Sequence, residues 1–211
     1  LFAHCFTCSK DILAASRISR GLSERGIGVL RFDFTGLGHS AGEFKNTTFS
    51  SNIGDLVAAA GWLRAHRAGP RILIGHSLGG AAVLAAARDI PESAAVATIG
   101  APADPEHVLH LLGPARGEIE RTGWALVSIG GRPFTLGRAF IDDLRSQDPS
   151  ARIGDLRRAL LLFHSPVDDV VGIENAARIF GWARHPKSFV SLDSADHLVR
   201  RPADAAYIAE V

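Results

Sequence analysis

The sequence predicts an α/β fold, in which helices cover both faces of a mostly parallel sheet. Short apolar runs alternate along the chain with segments whose apolar residues recur at helical spacing, and this alternation is typical of parallel strands joined by crossover helices. The chain has 211 residues, enough for one domain with a substantial core. It opens inside an apparent strand and stops within an apparent helix. We therefore expect residues 1–211 to form a single domain that is truncated at both ends.

The strands and helices can be assigned in order. A helix is predicted from Ile12 to Leu22 and another from Ile53 to Leu63, since each segment has one apolar face. The run Leu78–Ala87 is small and apolar on every side, which predicts a buried helix. The candidate strands are Leu1–His4, Gly28–Phe34, Arg71–Gly75, Ala94–Ile99, Leu160–His164 and Ser188–Leu192.

The alternation breaks between about residues 104 and 155, which we expect to form a small cap-like insertion between strands. A short helix is predicted at Glu106–Leu112 and another helical stretch around Phe140–Leu144. Between them, Val127–Ile129 and Pro133–Leu136 flank Gly130-Gly131, a pattern typical of a hairpin. The aromatic residues of the insertion have two interpretations, the lining of an acyl pocket or the insertion's own small core. They are Trp124, Phe134 and Phe140.

Composition and charge exclude several classes of partner. The formal net charge is +1, from 23 basic and 22 acidic residues, which gives no electrostatic basis for binding nucleic acid or an anionic membrane. No apolar run approaches the roughly 18–20 residues that span a bilayer. The two cysteines are too few for a disulfide scaffold. We therefore predict a cytoplasmic protein that binds neither nucleic acid nor membranes.

The strongest motif is Gly75-His76-Ser77-Leu78-Gly79-Gly80, between an apolar strand and the buried helix. A serine hydroxyl needs exposure beside a base to act as a nucleophile. A sharp strand-to-helix turn provides that exposure, and small residues on both sides of the serine permit the turn. The turn also directs the amide of Leu78 toward a developing oxyanion. The alternative interpretation is a glycine-rich connection whose serine has no chemical role.

With this motif in place, the chain resembles the α/β-hydrolase superfamily over nearly its whole length. The segment Arg31–Ser40 is similar to the strand and tight turn that family members carry ahead of the serine. The segment His164–Asp168 resembles the family's His-Gly-x-x-Asp segment, and Ala195–His197 resembles the Gly-x-His segment. The resemblance implies the α/β-hydrolase fold and the chain order serine, aspartate, histidine.

The resemblance also implies the roles of the site residues. Ser77 would be the nucleophile, His197 the general base and Asp168 the acid that orients the histidine. Asp169, the next residue, competes with Asp168 for that role. A capping or surface histidine is the alternative interpretation of His197.

The second oxyanion donor is expected in the loop His4-Cys5-Phe6-Thr7, which resembles the family's His-Gly-x loop. This would assign the donor role to the amide of Phe6. Cys5 stands where the family usually has glycine, and its side chain narrows the allowed backbone conformations. Cys5 and Cys8 form a C-x-x-C pattern, for which a redox pair and a regulatory disulfide are both open. We expect an oxidised bridge to distort the loop.

Two further patterns are weak evidence for a cofactor or a metal. The stretch Gly36–Ala41 fits a dinucleotide-binding fingerprint but is followed by more loop, not by a helix that could hold a pyrophosphate. His107 and His110 lie three residues apart, yet no partner motif makes a zinc site. We predict no metal and no organic cofactor.

Together these features predict a serine hydrolase that cleaves a small-molecule, ester-like substrate through an acyl-enzyme, as a carboxylesterase does. The same three residues serve peptidases, thioesterases and acyltransferases, because one fold hosts many chemistries. A non-catalytic binding or sensing module is the alternative outside enzymes. The sequence is also similar to hydrolase domains fused to an OsmC-like domain, which implies a further domain downstream.

Overall fold

A computed structural model describes all 211 residues. Its main sheet has five parallel strands in the order β1-β2-β3-β6-β7. Every connection between these strands is therefore a crossover, as the alternating pattern predicted. The strands are β1 (Phe2–Ala3), β2 (Ile72–His76), β3 (Ala95–Ile99), β6 (Ala159–His164) and β7 (Lys187–Ser191).

Helices cover both faces of the sheet, because successive strand residues point to opposite sides. In β6, Leu160 and Leu162 pack against one layer of helices, and Phe163 packs against the other. The larger layer contains α2 and α3 beside α6 and α7, and the smaller contains α1 and α8. These helices are α1 (Leu13–Glu24), α2 (Phe49–His66), α3 (Leu78–Ala86), α6 (Pro149–Gly154), α7 (Glu174–Trp182) and α8 (Pro202–Glu210). The α/β-hydrolase fold predicted from the sequence is confirmed.

The cap-like insertion, residues 104–155, lies between β3 and β6. It begins with a 3-10 helix at the place of the predicted short helix, and α4 follows. The hairpin strands then pair so that Ile129 is opposite Arg132, and both glycines of the two-residue turn have positive φ, 58° and 75°. The elements are the 3-10 helix Pro105–Leu112, α4 (Ala115–Thr122), β4 (Trp124–Ile129), β5 (Arg132–Gly137), α5 (Arg138–Arg145) and α6.

One predicted strand is wrong. The segment Gly28–Phe34 forms only an isolated bridge between Arg31 and Phe2, together with a hydrogen bond from the amide of Phe2 to the carbonyl of Leu30 at 2.9 Å. The segment lies at the outer edge of the sheet, beside a strand of two residues. So short a neighbour offers too few backbone partners to extend the ladder.

The aromatic residues of the insertion do not line a pocket beside Ser77. Phe140 is fully buried and stacks on Phe6 with ring centroids 5.4 Å apart. Phe134 packs edge-on against Phe44, and Trp124 is 61% exposed. Phe140 and Phe134 therefore pack in the main hydrophobic core, and both interpretations of the three aromatic residues, an acyl pocket and a separate core of the insertion, are wrong.

Cys5 and Cys8 form a disulfide. No helix is both long enough and apolar enough to cross a membrane. A location in the cytoplasm stays a prediction.

Candidate active site

Ser77 lies on a tight turn between β2 and α3. Its backbone has φ 55° and ψ −127°, a conformation that costs energy for a residue with a side chain. The amide of Ser77 donates to the carbonyl of Ile99 at 2.9 Å, which fixes the turn to the neighbouring strand. The turn is so close that a Cβ atom on Gly75 would lie 2.3 Å from the carbonyl oxygen of Gly79. These contacts explain why the motif has small residues around the serine.

The structure brings Ser77, His197 and Asp168 into one hydrogen-bonded chain. The hydroxyl of Ser77 lies 3.0 Å from Nε2 of His197, and Nδ1 of His197 lies 2.8 Å from Oδ2 of Asp168. All three residues are at most 9% exposed. Asp169 is exposed to solvent and makes no side-chain hydrogen bond. The contact to the histidine is thus made by Asp168 and not by its neighbour.

The Asp168 carboxylate is held in its charged form. Burial alone would raise its pKa, but the hydrogen bond with His197 and the backbone amides of Val171 and Val170 together lower it. Those amides donate to Oδ1 at 2.8 and 2.9 Å, which leaves Oδ2 for the imidazole. A carboxylate can only accept hydrogen bonds. Nδ1 of His197 must therefore carry the proton, which leaves Nε2 free to accept one from Ser77.

Phe6 and Leu78, the two predicted oxyanion donors, lie beside the serine. Both residues line one small pocket together with Ser77. Neither amide donates to another group of the protein, since Leu78 is the first residue of α3 and Phe6 lies in a loop. Two free N–H groups next to a nucleophile can stabilise a negative oxygen.

A hydrogen bond and a disulfide both close the loop that contains Phe6. The amide of Cys8 donates to the carbonyl of Cys5 at 3.1 Å, and the disulfide joins the same two residues. Their Cα atoms are 5.3 Å apart. The bridge therefore joins residues that the backbone turn already brings together, and Phe6 still lines the pocket at Ser77. The structure of the bridged form does not show the distortion that we expected from oxidation.

Three buried histidines hold the three loops of the site. His4 hydrogen-bonds from Nδ1 to the carbonyl of Cys5 at 2.8 Å. His76 does the same from Nε2 to the carbonyl of His197 at 2.7 Å, and His164 from Nε2 to that of Val171 at 2.8 Å. Because a carbonyl only accepts hydrogen bonds, each imidazole is the donor. In the sequence all three histidines stand only as parts of motifs, and no pattern there marks this positioning role.

The pKa of two of these histidines is lowered. Burial, with a contribution from the nearby His197, lowers the pKa of His76 to about 4. Burial also lowers the pKa of His4. For His4 the neutral form agrees with the geometry, because Nε2 accepts from the amide of Phe34 at 3.3 Å. Both side chains are therefore neutral at pH 7.

Gly100, directly after β3, touches the acid–histidine pair. A Cβ atom at this position would lie 3.1 Å from Oδ2 of Asp168 and 3.4 Å from Nδ1 of His197. Its backbone also has a positive φ of 55°, which L-residues with side chains rarely adopt. No motif in the sequence marks this glycine.

The two weaker sequence patterns have structural roles. In the Gly36–Ala41 loop the amide of His39 donates to the buried carboxylate of Asp33 at 2.9 Å, and the amide of Lys10 donates to the same carboxylate at 2.6 Å. His107 hydrogen-bonds through Nε2 to the carbonyl of Val170 at 2.9 Å. His110 hydrogen-bonds back to the carbonyl of His107.

Two hollows of very different size open beside Ser77. The larger is a groove of about 590 Å³, and the smaller is a pocket of about 20 Å³. Ser77, Phe6, Leu111 and Val170 line both. The groove is also lined by Ile12, Leu13, Ile129, His197, Leu198 and Arg200, and the pocket by Leu78, Pro102, His107, Val108, His110 and Val171.

Two features define the α/β-hydrolase class. One is a parallel sheet with crossover helices. The other is a serine on a strained strand-to-helix turn, in contact with an aspartate and a histidine from later in the chain. The model of the Alpha/beta hydrolase family matches residues 1–211. The chain belongs to this family. A downstream OsmC-like domain stays a prediction.

Several solved structures are similar to this chain. The esterase domain of a Rhodothermus marinus protein is 54% identical, with a TM-score of 0.79 over 99% of this chain and 82% of that one. Mouse alpha/beta hydrolase domain-containing protein 10 is 22% identical, with a TM-score of 0.81 over 99% and 85%. Est1E from Butyrivibrio proteoclasticus, solved with bound ferulic acid, is 18% identical, with a TM-score of 0.85 over 99% and 85%. The last two show likeness of fold alone. No curated protein matches the chain.

Proposed function

We propose that this protein is a carboxylic ester hydrolase that works through an acyl-enzyme on Ser77. The observation that carries the proposal is the hydrogen-bonded chain from Ser77 through His197 to Asp168, with distances of 3.0 and 2.8 Å. These distances are within the reach that proton transfer requires. The 54% identity to an esterase domain supports an ester over an amide or thioester.

The first half of the reaction forms the acyl-enzyme. Nε2 of His197 takes the proton of Ser77 as Oγ attacks the carbonyl carbon of the ester. The carbonyl oxygen becomes an oxyanion, which accepts hydrogen bonds from the amides of Phe6 and Leu78. Asp168 stabilises the imidazolium that forms. The imidazolium then gives its proton to the leaving alcohol oxygen.

The second half releases the acid. A water molecule gives a proton to His197 and attacks the acyl carbon, and His197 then passes this proton to Oγ of Ser77 as the bond between Oγ and the acyl carbon breaks. No step requires a group other than these residues, the ester and water. An amide or a thioester would pass through the same steps, so the substrate test must compare these bonds directly.

The test combines labelling with turnover. A fluorophosphonate probe is expected to label the wild-type protein at Ser77, and 4-nitrophenyl acetate is expected to be hydrolysed. Ser77→Ala should lose both, with a fall in kcat of roughly 10⁴–10⁶. Ser150→Ala is the matched control, because Ser150 is exposed on α6 and touches neither hollow.

The proposal fails if folded Ser77→Ala protein, checked by circular dichroism, hydrolyses the ester at a rate near that of the wild type. Absence of both labelling and hydrolysis in the wild type would instead favour a binding or sensing module. A matched acetyl amide and acetyl thioester complete the comparison, and faster cleavage of either would contradict the assignment to esters.

A further inference from the structure

Arg132 reaches from the insertion to the loop that contains Phe6. It is the first residue of β5, directly after the two-glycine turn of the hairpin. Its guanidinium donates a hydrogen bond to the backbone carbonyl of Thr7, 125 residues earlier in the chain. Thr7 is buried, and no other group of the protein donates to this carbonyl. The contact therefore satisfies a backbone acceptor that has little access to water.

Three consecutive carbonyls of this loop have fixed partners. The carbonyl of Cys5 accepts from Nδ1 of His4 at 2.8 Å. The carbonyl of Phe6 accepts from the hydroxyl of Thr7 at 2.6 Å, and the carbonyl of Thr7 accepts from Arg132. The amide of Phe6 has no acceptor in the protein and is the proposed oxyanion donor. The orientation of this amide thus depends on how firmly the carbonyls on either side of it are held.

Of these side-chain partners, Arg132 is the one that comes from outside the loop. Thr7 has a positive φ of 58°, and a strained backbone of this kind persists only where the surrounding structure holds it. We infer that Arg132 is a positioning residue, which keeps the amide of Phe6 directed at the oxyanion by holding the carbonyl of Thr7. The inference rests on the proposed function.

The chemistry of the arginine suits this role. A guanidinium is always charged, and it has several N–H donors in a fixed plane. A hydrogen bond from a charged donor is stronger than one between neutral groups. The guanidinium also lies over the ring of Phe134, 5.3 Å from the ring centroid, which favours a cation. Arg132 is itself exposed and lines the groove at Ser77, so replacing it removes the hydrogen bond without opening a cavity in the core.

Arg132→Ala tests the role, with 4-nitrophenyl acetate as substrate. Both halves of the proposed reaction pass through an oxyanion, so kcat should fall while KM changes little. A misplacement of about 1 Å costs about 10²-fold in rate. The hydrogen bond from His4 and the disulfide still hold the rest of the loop, so we expect a smaller fall in kcat, of about 10-fold. Arg132→Lys keeps a charged donor and should lose less.

A trifluoromethyl ketone measures the oxyanion site directly. When 1,1,1-trifluoroacetone binds, Oγ of Ser77 adds to its carbonyl carbon, the hydroxyl proton passes to Nε2 of His197, and the carbonyl oxygen becomes an oxyanion as in the reaction. The inhibition constant should rise in Arg132→Ala by about the factor by which kcat falls. Arg138→Ala is the matched control and should change neither value. Arg138 is exposed on the insertion, pairs with Asp142 at 3.4 Å and lines neither hollow.

The outcomes separate this inference from the proposed function. If folded Arg132→Ala protein, checked by circular dichroism, keeps the wild-type kcat and inhibition constant, the positioning role is overturned while the serine hydrolase proposal stands. A rise in KM alone, a fall in Tm alone or an equal loss of kcat in Arg132→Lys would overturn it too. If the wild type neither hydrolyses the ester nor reacts with the fluorophosphonate at Ser77, the proposed function fails and the inference fails with it.

Discussion

His76 donates a hydrogen bond from Nε2 to the backbone carbonyl of His197 at 2.7 Å, and the two imidazole rings lie 5.2 Å apart. The residue directly before Ser77 therefore holds the loop that carries His197. Because His76 is completely buried, this hydrogen bond is shielded from competing water. The serine and the histidine are thus linked through the backbone as well as through their side chains.

The burial of His76 predicts a loss of stability in mild acid. Its folded pKa is about 4, below the value of about 6.5 for an unfolded histidine. Between these values the unfolded chain binds a proton that the folded protein excludes, so the free energy of unfolding falls as the pH falls. Above about pH 6.5 this group contributes nothing. The expected slope is on the order of 1.4 kcal/mol per pH unit.

Urea unfolding at several pH values between about 4 and 7 measures this slope. His76→Asn keeps an N–H donor but cannot be protonated, so its slope should be shallower than that of the wild type. His66→Asn is the matched control, since His66 is exposed at the end of α2. If the free energy of unfolding changes with pH equally steeply in the wild type and in His76→Asn, the prediction is refuted.

The two adjacent aspartates should differ sharply when mutated. Asp168→Asn presents an amide to Nδ1 of His197 and can stabilise the wrong tautomer, so we expect kcat to fall by on the order of 10³–10⁴. Asp169→Asn should change kcat by less than about tenfold, because the Asp169 side chain is exposed and unbonded. Both variants are measured on one ester, with circular dichroism to check folding. A larger loss in Asp169→Asn would contradict the role of Asp168.

Gly100→Ala should damage catalysis and also lower the free energy of unfolding, because alanine is strained at a φ of 55°. The added methyl would lie 3.1 Å from Oδ2 of Asp168 and would push the carboxylate from His197. The carboxylate must give by a few tenths of an ångström, so we expect a loss smaller than the factor of about 10² that a misplacement of about 1 Å costs. Gly117→Ala is the control, because that glycine lies in α4 with open space around its Cα. Equal kcat for the two variants would remove Gly100 from the site.

Removing the Cys5–Cys8 bridge should destabilise the protein and lower its kcat. The bridge spans a sequence separation of 3, and closing so small a ring contributes on the order of 2 kcal/mol in the chain-entropy model. Cys5→Ser/Cys8→Ser should therefore lower Tm by several degrees. Loosening the Phe6 loop should lower kcat by less than the 10²–10³ that losing a whole oxyanion donor costs.

A reducing agent provides the control for the bridge. Dithiothreitol should lower the Tm and kcat of the wild type toward those of the double serine variant, and it should leave that variant unchanged. If the reduced and oxidised wild-type proteins hydrolyse an ester equally fast, the bridge has no part in positioning Phe6.

Most of the fold and most of the site could be predicted from the sequence, for identifiable reasons. The serine turn is local, so its glycines and flanking apolar runs mark it directly. Asp168 and His197 could be chosen because each follows a strand, and strand ends meet at one edge of a parallel sheet. The helix α4 escaped detection because Ile119 is its only buried residue, so it shows no apolar periodicity.

Long-range contacts account for the rest. Gly100 matters only because its Cα faces residues 68 and 97 positions later in the chain, Asp168 and His197. The buried histidines act through backbone carbonyls, which carry no residue-type signal. The edge segment Gly28–Phe34 has the composition of a strand, but pairing depends on the length of the neighbour, which composition does not reveal.

The residues proposed to react and part of the surface around the substrate come from different parts of the chain, because of the insertion between β3 and β6. Ser77, Asp168 and His197 all come from the ends of sheet strands, whereas residues 104–155 supply four of the ten residues that line the pocket and part of the groove. Arg132 on Thr7 and Asp143 on Ser50 attach this segment to the sheet domain. The stretch is thus joined to the sheet domain by hydrogen bonds and by apolar packing such as that of Phe140 on Phe6. A foreign insertion that keeps both kinds of contact would give the same reaction a new range of substrates.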